Sequence, residues 1–355
     1  MAATHFSARI EDGVHRRLTP FLRNRGWRPR TIPYTGYGNS DFVRVLGRVV
    51  MGRRMEAEAK VDQATTTEEL ARAVFNQRGW RSYITAPVGY IPVRIRIGEA
   101  EYRTKTDRSG YFDYTIPTHD LTPGWQEVDV LTASARPAKA PVLIVDDDAR
   151  LGIVSDIDDT VMVTSIPRPL IAAWHSFVRH VRARQLVPGM AQMYQDLLVD
   201  HPGAPVFYLS TGAWNIMPAL DHVLRRGNYP RGPMLMTDWG PTNTGWFRSG
   251  QEHKRTALRR LRAEFPEIRW ILIGDDGQHD PMIYREFAAE FPDHVAAIAI
   301  RELSPTEQFL SHGSPIASFD TLWTPPNQPT PEVFGANGVS LAPRLRAVLH
   351  RRNLP

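Results

Sequence analysis

From residue 150 onward, short apolar runs alternate with longer segments whose apolar positions recur every three or four residues. The runs are LGIVSDI from Leu151, PVFYLST from Pro205, RWILIGD from Arg269 and VAAIAI from Val295. Each is of strand length and apolar at consecutive positions, which predicts strands buried on both faces, and the segments between them have the spacing of amphipathic helices. Strand and helix in strict alternation predict an α/β domain of three layers, a parallel sheet with helices on either side, over about 151–303.

Upstream the period changes. FVRVLGRVV at 42–50, VRIRI at 93–97, YFDYTI at 111–116 and EVDVLTA at 127–133 alternate or are rich in β-branched residues, with turns such as TDRSG and TPGW between them. They predict a small β-sandwich-like domain within 1–150. Helical spacing at 8–25 and a capped start in TTTEEL at 65–70 add helices to it. The tail, 304–355, is Pro-rich through LWTPPNQPTPEVFG, which predicts irregular chain until about Leu341, where LAPRLRAVLHRR closes as a helix.

A chain of 355 residues fits two domains, and 42% apolar with 23% charged residues is a soluble globular composition. No window reaches the roughly 18 apolar residues of a membrane-spanning helix, and the opening MAATHFSARIEDGVHRR lacks the apolar core of a secretory signal, so the expectation is a cytoplasmic protein. With no cysteine, thiolate catalysis and Cys-based metal sites are excluded, so any metal must bind oxygen or imidazole. The net charge of +5 suits an anionic partner: phosphate, nucleic acid or an acidic lipid surface. Its densest cluster, Arg16 to Arg30, is mixed with Leu18, Phe21, Leu22 and Trp27. It reads either as a surface helix packed on its own domain or as a basic amphipathic helix in peripheral contact with an anionic membrane.

Chemistry enters with DIDDT at 156–160, directly after the first predicted strand of the α/β domain. Its carboxylates should emerge at the carboxyl edge of a parallel sheet, where ligands bind. Asp156 and Asp158 can reach one ligand, with a backbone carbonyl adding oxygen for a hard cation, one carboxylate attacking phosphorus and the other carrying protons. A calcium loop is disfavoured, because the sixth position is Val161 where an EF-hand needs Gly. Ser210 and Thr211, at the second strand end, offer hydroxyls and turn amides to phosphate oxygens, although such residues more often cap a helix. Lys254 opens an amphipathic helix whose apolar face is Ala257, Leu258 and Leu261, and there it could neutralise a transferring phosphoryl group. The third strand ends in GDDGQHD at 274–280. Asp275 lies nearest the sheet edge and is the best metal ligand of that run, and Asp280 could order metal-bound water or the lysine. Asp276 and His279 are harder to assign.

In order, these elements resemble the four motifs of the haloacid dehalogenase superfamily: DxDxT, a strand-terminal Ser/Thr, a Lys and GDxxxxD. SDIDDT, the HK pair and GDDGQHDPMIY are similar to the phosphatidate phosphatase family related to the yeast actin patch protein. The likeness covers 151–303 and extends more loosely through YTGYGNSDFVRVLGRVV upstream. It implies a Rossmannoid catalytic domain, Mg2+ as cofactor and phosphatidic acid as substrate. Position by position it makes Asp156 the nucleophile, Asp158 the acid/base, and Lys254 catalytic. Ser210, Thr211 and Thr160 would bind phosphate, and Asp156, Asp158 (through its carbonyl), Asp275 and Asp280 would serve the metal. Where the family has GDSG, this chain carries Asp276.

The stretch from Thr164 to Pro188 is too short for a large cap. Leu170, Ile171, Trp174 and Phe177 within it either contact acyl chains or pack on the core. Two alternatives stay open: a phosphatase for a soluble or nucleic-acid-end phosphomonoester, and an inactive binding scaffold. Nucleic acid is disfavoured as a partner, because no RNA-binding motif or aromatic-basic stacking series is present.

Overall fold

A computed structural model describes residues 24, 27–53, 88–132, 137–163, 186–237, 250–277, 279–312 and 330–351. They divide into two compact units, one ending at Val145 and one beginning at Asp146.

The first unit contains β1 (Trp27–Pro33), β2 (Gly36–Gly38), β3 (Phe42–Arg53), β4 (Pro92–Ile97), β5 (Ala100–Lys105), β6 (Tyr111–Pro117), β7 (Gly124–Thr132) and β8 (Ala138–Ile144). All eight join one sheet in the order β1-β3-β2-β8-β7-β4-β5, with β6 on β3. Pairing is antiparallel except between β2 and β8. This corrects the expected sandwich: strand alternation was read rightly, but the strands form one continuous mixed sheet. The long β3 is the reason, since its first half pairs with β2 and its second half with β1 along one side while β6 runs along the other. Val45, Val49, Ile95, Ile116, Val130 and Val142, from five strands, share one core, so the sheet curls over its own apolar face.

The basic stretch is corrected in part. Trp27 to Arg30 belong to β1, with Arg28 and Arg30 exposed and Pro29 and Thr31 buried, the alternation of a strand. The rest of the predicted helix at 8–25, apart from Asn24, lies outside the described residues, as do TTTEEL and the segment holding Leu170, Ile171, Trp174 and Phe177.

The second unit runs β9 (Leu151–Asp156), α1 (Met190–Asp200), β10 (Val206–Ala213), α2 (Met217–Arg226), β11 (Met234–Thr237), α3 (Gly250–Glu264), β12 (Arg269–Asp275), α4 (Asp280–Glu290), β13 (Val295–Arg301), α5 (Pro305–His312), β14 (Glu332–Gly335) and α6 (Gly338–Arg351). Its six strands are all parallel, in the order β11-β10-β9-β12-β13-β14. Every residue of β9 and β13 is buried, as expected of strands covered on both faces. From central β9 the chain winds outward to β10 and β11, then crosses back to β12, β13 and β14. Right-handed crossovers in opposite directions put their helices on opposite faces, which produces the three layers. The reversal falls between β9 and β12, and its crevice opens at their carboxyl ends.

Gly152 interrupts the apolar run of β9 because Trp270 of β12 lies across it; a Cβ there would meet the indole at 2.5 Å. The tail reading is corrected too. Pro305–His312 is helical, and EVFG inside the Pro-rich stretch is β14, the sheet's edge strand, paired with β13 from Glu332 to Gly335. An ion pair between the buried Arg285 of α4 and the half-buried Glu332 anchors it, with nitrogen–oxygen distances of 2.9–3.1 Å.

Candidate active site

Register brings the chemistry together. Leu209 of β10 pairs with Asp156 of β9, and Ile273 of β12 pairs with Ser155, so Ser210, Asp156 and Asp275 stand at neighbouring strand ends. After Asp156 the chain makes a tight loop in which the Val161 amide donates to the Ile157 carbonyl (2.9 Å) and the Asp159 amide to that of Met162 (2.8 Å). The loop turns the Thr160 hydroxyl onto the Asp275 carboxylate at 3.3 Å. Thr160 was expected to bind phosphate; in this structure its hydroxyl is engaged by Asp275. Asp158 is half-buried and accepts from the Ser210 hydroxyl at 3.4 Å, and that hydroxyl in turn accepts from the Gly212 amide at 3.0 Å. Thr211 follows at the same strand end, where its carbonyl takes a hydrogen bond from the Thr237 hydroxyl at 2.8 Å.

Lys254 shares the buried stripe of α3 with Ala257, Leu258 and Leu261, at spacings of three, four and seven residues. The apolar face of the helix therefore points the lysine inward. Its ammonium donates to Asp156 at 2.6 Å and also to Asp280, the first residue of α4. Carboxylate oxygens of Asp156, Asp275 and Asp280 all lie within 4.8 Å of one another, and all three residues are buried. Gly274 makes room for this, because a Cβ there would sit 2.6 Å from Asp280 Oδ2. Gly274→Ala should therefore displace Asp280, cost about 1–3 kcal/mol of stability as overpacking does, and impair metal binding. Denaturant melts and metal titration check it, and an unaltered metal affinity would count against the role given to Asp280.

Three carboxylates here face one ammonium. Burial, reinforced by the neighbouring carboxylates and opposed by Lys254, holds the Asp156 carboxyl well above its ordinary range. Asp275 is pushed up in the same way, by burial and then by Asp280, Asp156 and Asp159. Burial alone would lower Lys254, but Asp156 and Asp280 outweigh it and keep the lysine charged. Asp280 Oδ2 is buried with no hydrogen-bond partner among the described residues. Surplus buried negative charge, an orphaned acid oxygen and an all-oxygen donor set together suit a hard divalent cation.

A pH prediction follows from the two raised carboxyls. A carboxyl raised on folding contributes stability that is complete below its unfolded value of about 4 and is lost as pH rises through the folded value. The metal-free protein should therefore lose stability from mildly acidic to alkaline pH, and divalent cation should offset much of that loss, by about 2.7 kcal/mol at a hundredfold excess over its dissociation constant. Thermal melts with chelator and with Mg2+ across that range test it; a metal-free melting temperature indifferent to pH would contradict the charge balance.

Asp276 turns away from the trio. Its Oδ1 accepts from the Leu303 amide at 2.8 Å and the Gln308 side chain at 2.7 Å, and burial raises its pKa to about 6 despite the Leu303 bond. His279 sits just before α4 with no side-chain capping bond. The carboxylate of Asp158 is not part of the trio. Reading the sequence missed Gly274 and Thr237, and also Tyr229, whose hydroxyl donates to the Val161 carbonyl at 3.1 Å. The glycine directly before Asp275 is a signal that could have been read. The other two are far from the motifs along the chain.

Residues 151–302 match the family described as phosphatidate phosphatase APP1, catalytic domain. That segment belongs to the phosphatidate phosphatase family. Among relatives of the phosphatidate phosphatase segment, phosphatidate phosphatase APP1 of Saccharomyces cerevisiae is 28% identical over 152 residues, 42% of this chain and 26% of that protein. An uncharacterized protein of Schizosaccharomyces pombe is 26% identical over 216 residues, 58% of this chain and 35% of that protein. The chain thus spans about a quarter to a third of the length of these curated relatives. Among solved structures, the HAD domain of the effector protein Lem4 from Legionella pneumophila superposes with a TM-score of 0.32 at 18% identity, covering 44% of this chain and 87% of that one.

Proposed function

We propose that the chain is a Mg2+-dependent phosphatase that hydrolyses a phosphomonoester through an aspartyl-phosphate on Asp156, with phosphatidic acid, converted to diacylglycerol, as its substrate. The observation that carries this reading is the meeting of the Asp156, Asp275 and Asp280 carboxylates with the Lys254 ammonium at the carboxyl edge of a parallel sheet. The family of residues 151–302 supports phosphoryl chemistry on a lipid phosphate. The net charge of +5 suits an anionic substrate and peripheral contact with an anionic membrane. Among the described residues no helix is long and apolar enough to cross a membrane.

In this mechanism the Asp156 carboxylate attacks phosphorus and the ester oxygen departs, taking a proton from Asp158. Asp158 then takes a proton from water as that water attacks the phosphorus, which frees phosphate and restores Asp156. Asp158 suits proton exchange because it is half-buried and outside the acid trio, so it can meet the leaving group and then water. Lys254 fixes the orientation of Asp156 and, with Ser210 and Thr211, binds phosphoryl oxygens. Mg2+, held by Asp156, the Asp158 carbonyl and Asp275, with Asp280 beside them, would supply positive charge to the phosphoryl oxygens.

A substrate panel tests the assignment: phosphatidic acid in micelles, sugar phosphates and phosphorylated oligonucleotides, each with Mg2+. Turnover of phosphatidic acid is expected, and turnover of a soluble ester with phosphatidic acid untouched would overturn the lipid assignment.

A further inference from the structure

The loop that carries Asp158 and Thr160 turns on Asp159, whose backbone is left-handed with φ 59°. That conformation is unfavourable for a residue with a Cβ and persists only where its surroundings hold it. Beside the bond from the Asp159 amide to the Met162 carbonyl, a holding contact comes from Arg301, the last residue of β13 and the register partner of Asp275. From two strands away, its Nη1 donates to the Asp159 carbonyl at 2.6 Å. Its Nε donates to the Ala336 carbonyl at 3.2 Å and its Nη2 to Glu307 Oε1 at 2.5 Å. Arg301 is only 5% exposed, and its bond to the Asp159 carbonyl is buried, where a missing partner is costly.

Glu307 is itself held. Its Oε2 accepts from the Ser304 amide and hydroxyl, each at 2.8 Å, and the Ser304 hydroxyl accepts from the Glu307 amide at 3.3 Å, the reciprocal capping arrangement of a helix start. The next residue, Gln308, binds Asp276 at 2.7 Å, beside Asp275. The first turn of α5 therefore reaches two of the loops that build the site, one through Arg301 and one directly.

We propose that Arg301 is a positioning residue for the Asp158–Thr160 loop, held in place by Glu307, so that α5 sets where Asp158 and Thr160 stand relative to Asp156 and Asp275. The proposal rests on the roles given to Asp156 and Asp158 above. Lysine cannot reproduce it, because its single ammonium lacks the planar fork that meets three separated acceptors.

The test compares Arg301→Lys, Arg301→Ala and the milder Glu307→Gln at saturating Mg2+ on a soluble aryl phosphate, together with amide hydrogen exchange. Misplacing Asp158 should lower kcat by on the order of 10- to 100-fold in Arg301→Ala, with KM changed by less than about twofold. Arg301→Lys should recover part of that loss, and Glu307→Gln should lose least. Exchange should quicken at the Asp159, Val161 and Met162 amides, which close the loop, and stay unchanged in β9. Unchanged kcat in Arg301→Lys and Glu307→Gln, or exchange that rises throughout the second unit, would overturn the proposal. If Asp156→Asn retains full turnover, the nucleophile assignment fails separately, and the exchange data still decide whether Arg301 holds the loop.

Discussion

Asp156→Asn should leave a folded protein in which hydrolysis of a generic aryl phosphate falls on the order of 10⁴-fold or more, to background. Asn has nearly the shape of Asp, so the end of β9 keeps its packing. What is lost is the charge and nucleophilicity of the group on which Lys254 is aimed. Because the change removes one of three clustered negative charges, the metal-free variant should be at least as stable as the parent. Phosphate-release kinetics and thermal melts check both halves. Substantial residual turnover in a folded variant would refute the role given to Asp156.

The second large effect is expected of Lys254→Met. Methionine keeps the apolar stem in the α3 stripe but leaves Asp156 and Asp280 without the cation that faces them. Breaking a buried ion pair from one side costs about 3–5 kcal/mol, and the metal-free variant should pay that cost near neutral pH. Lowering the pH should recover part of it, because protonating the carboxyls removes the repulsion. Saturating divalent cation should restore stability better than activity, since the lysine is also proposed to meet the phosphoryl group. Activity should remain down by about 10²- to 10³-fold. Chemical denaturation with chelator and with Mg2+, alongside kinetics, separates the two losses; equal stability of variant and parent without metal would show that the lysine does not balance the cluster.

The parallel sheet was legible because strands buried on both faces must be apolar at consecutive positions, as LGIVSDI and VAAIAI are. The acids were legible because they follow those runs directly, so their place at a strand end is a local property of the chain. The curl of the first sheet was not. Alternation in VRIRI or FVRVLGRVV tells which residues face inward, but strand pairing such as β2 with β8 depends on segments about a hundred residues apart. Strand β14 escaped notice because four residues directly after a Pro-rich run carry too little periodicity, and it is the parallel partner β13 that makes EVFG a strand. The contacts that shape the site were hidden for the same reason. Arg301 and Asp159 are 142 residues apart, and nothing near either one announces the other.

The central claim is that Asp156 takes the phosphoryl group. It is tested most directly by acid-quenching the protein during turnover with Mg2+ and mapping the phosphorylated residue by mass spectrometry. The account predicts an acyl-phosphate on the peptide carrying Asp156, absent when chelator replaces Mg2+ and absent in Asp156→Asn. A phosphoryl group on another residue, or rapid turnover with no trapped adduct on that peptide, would contradict it.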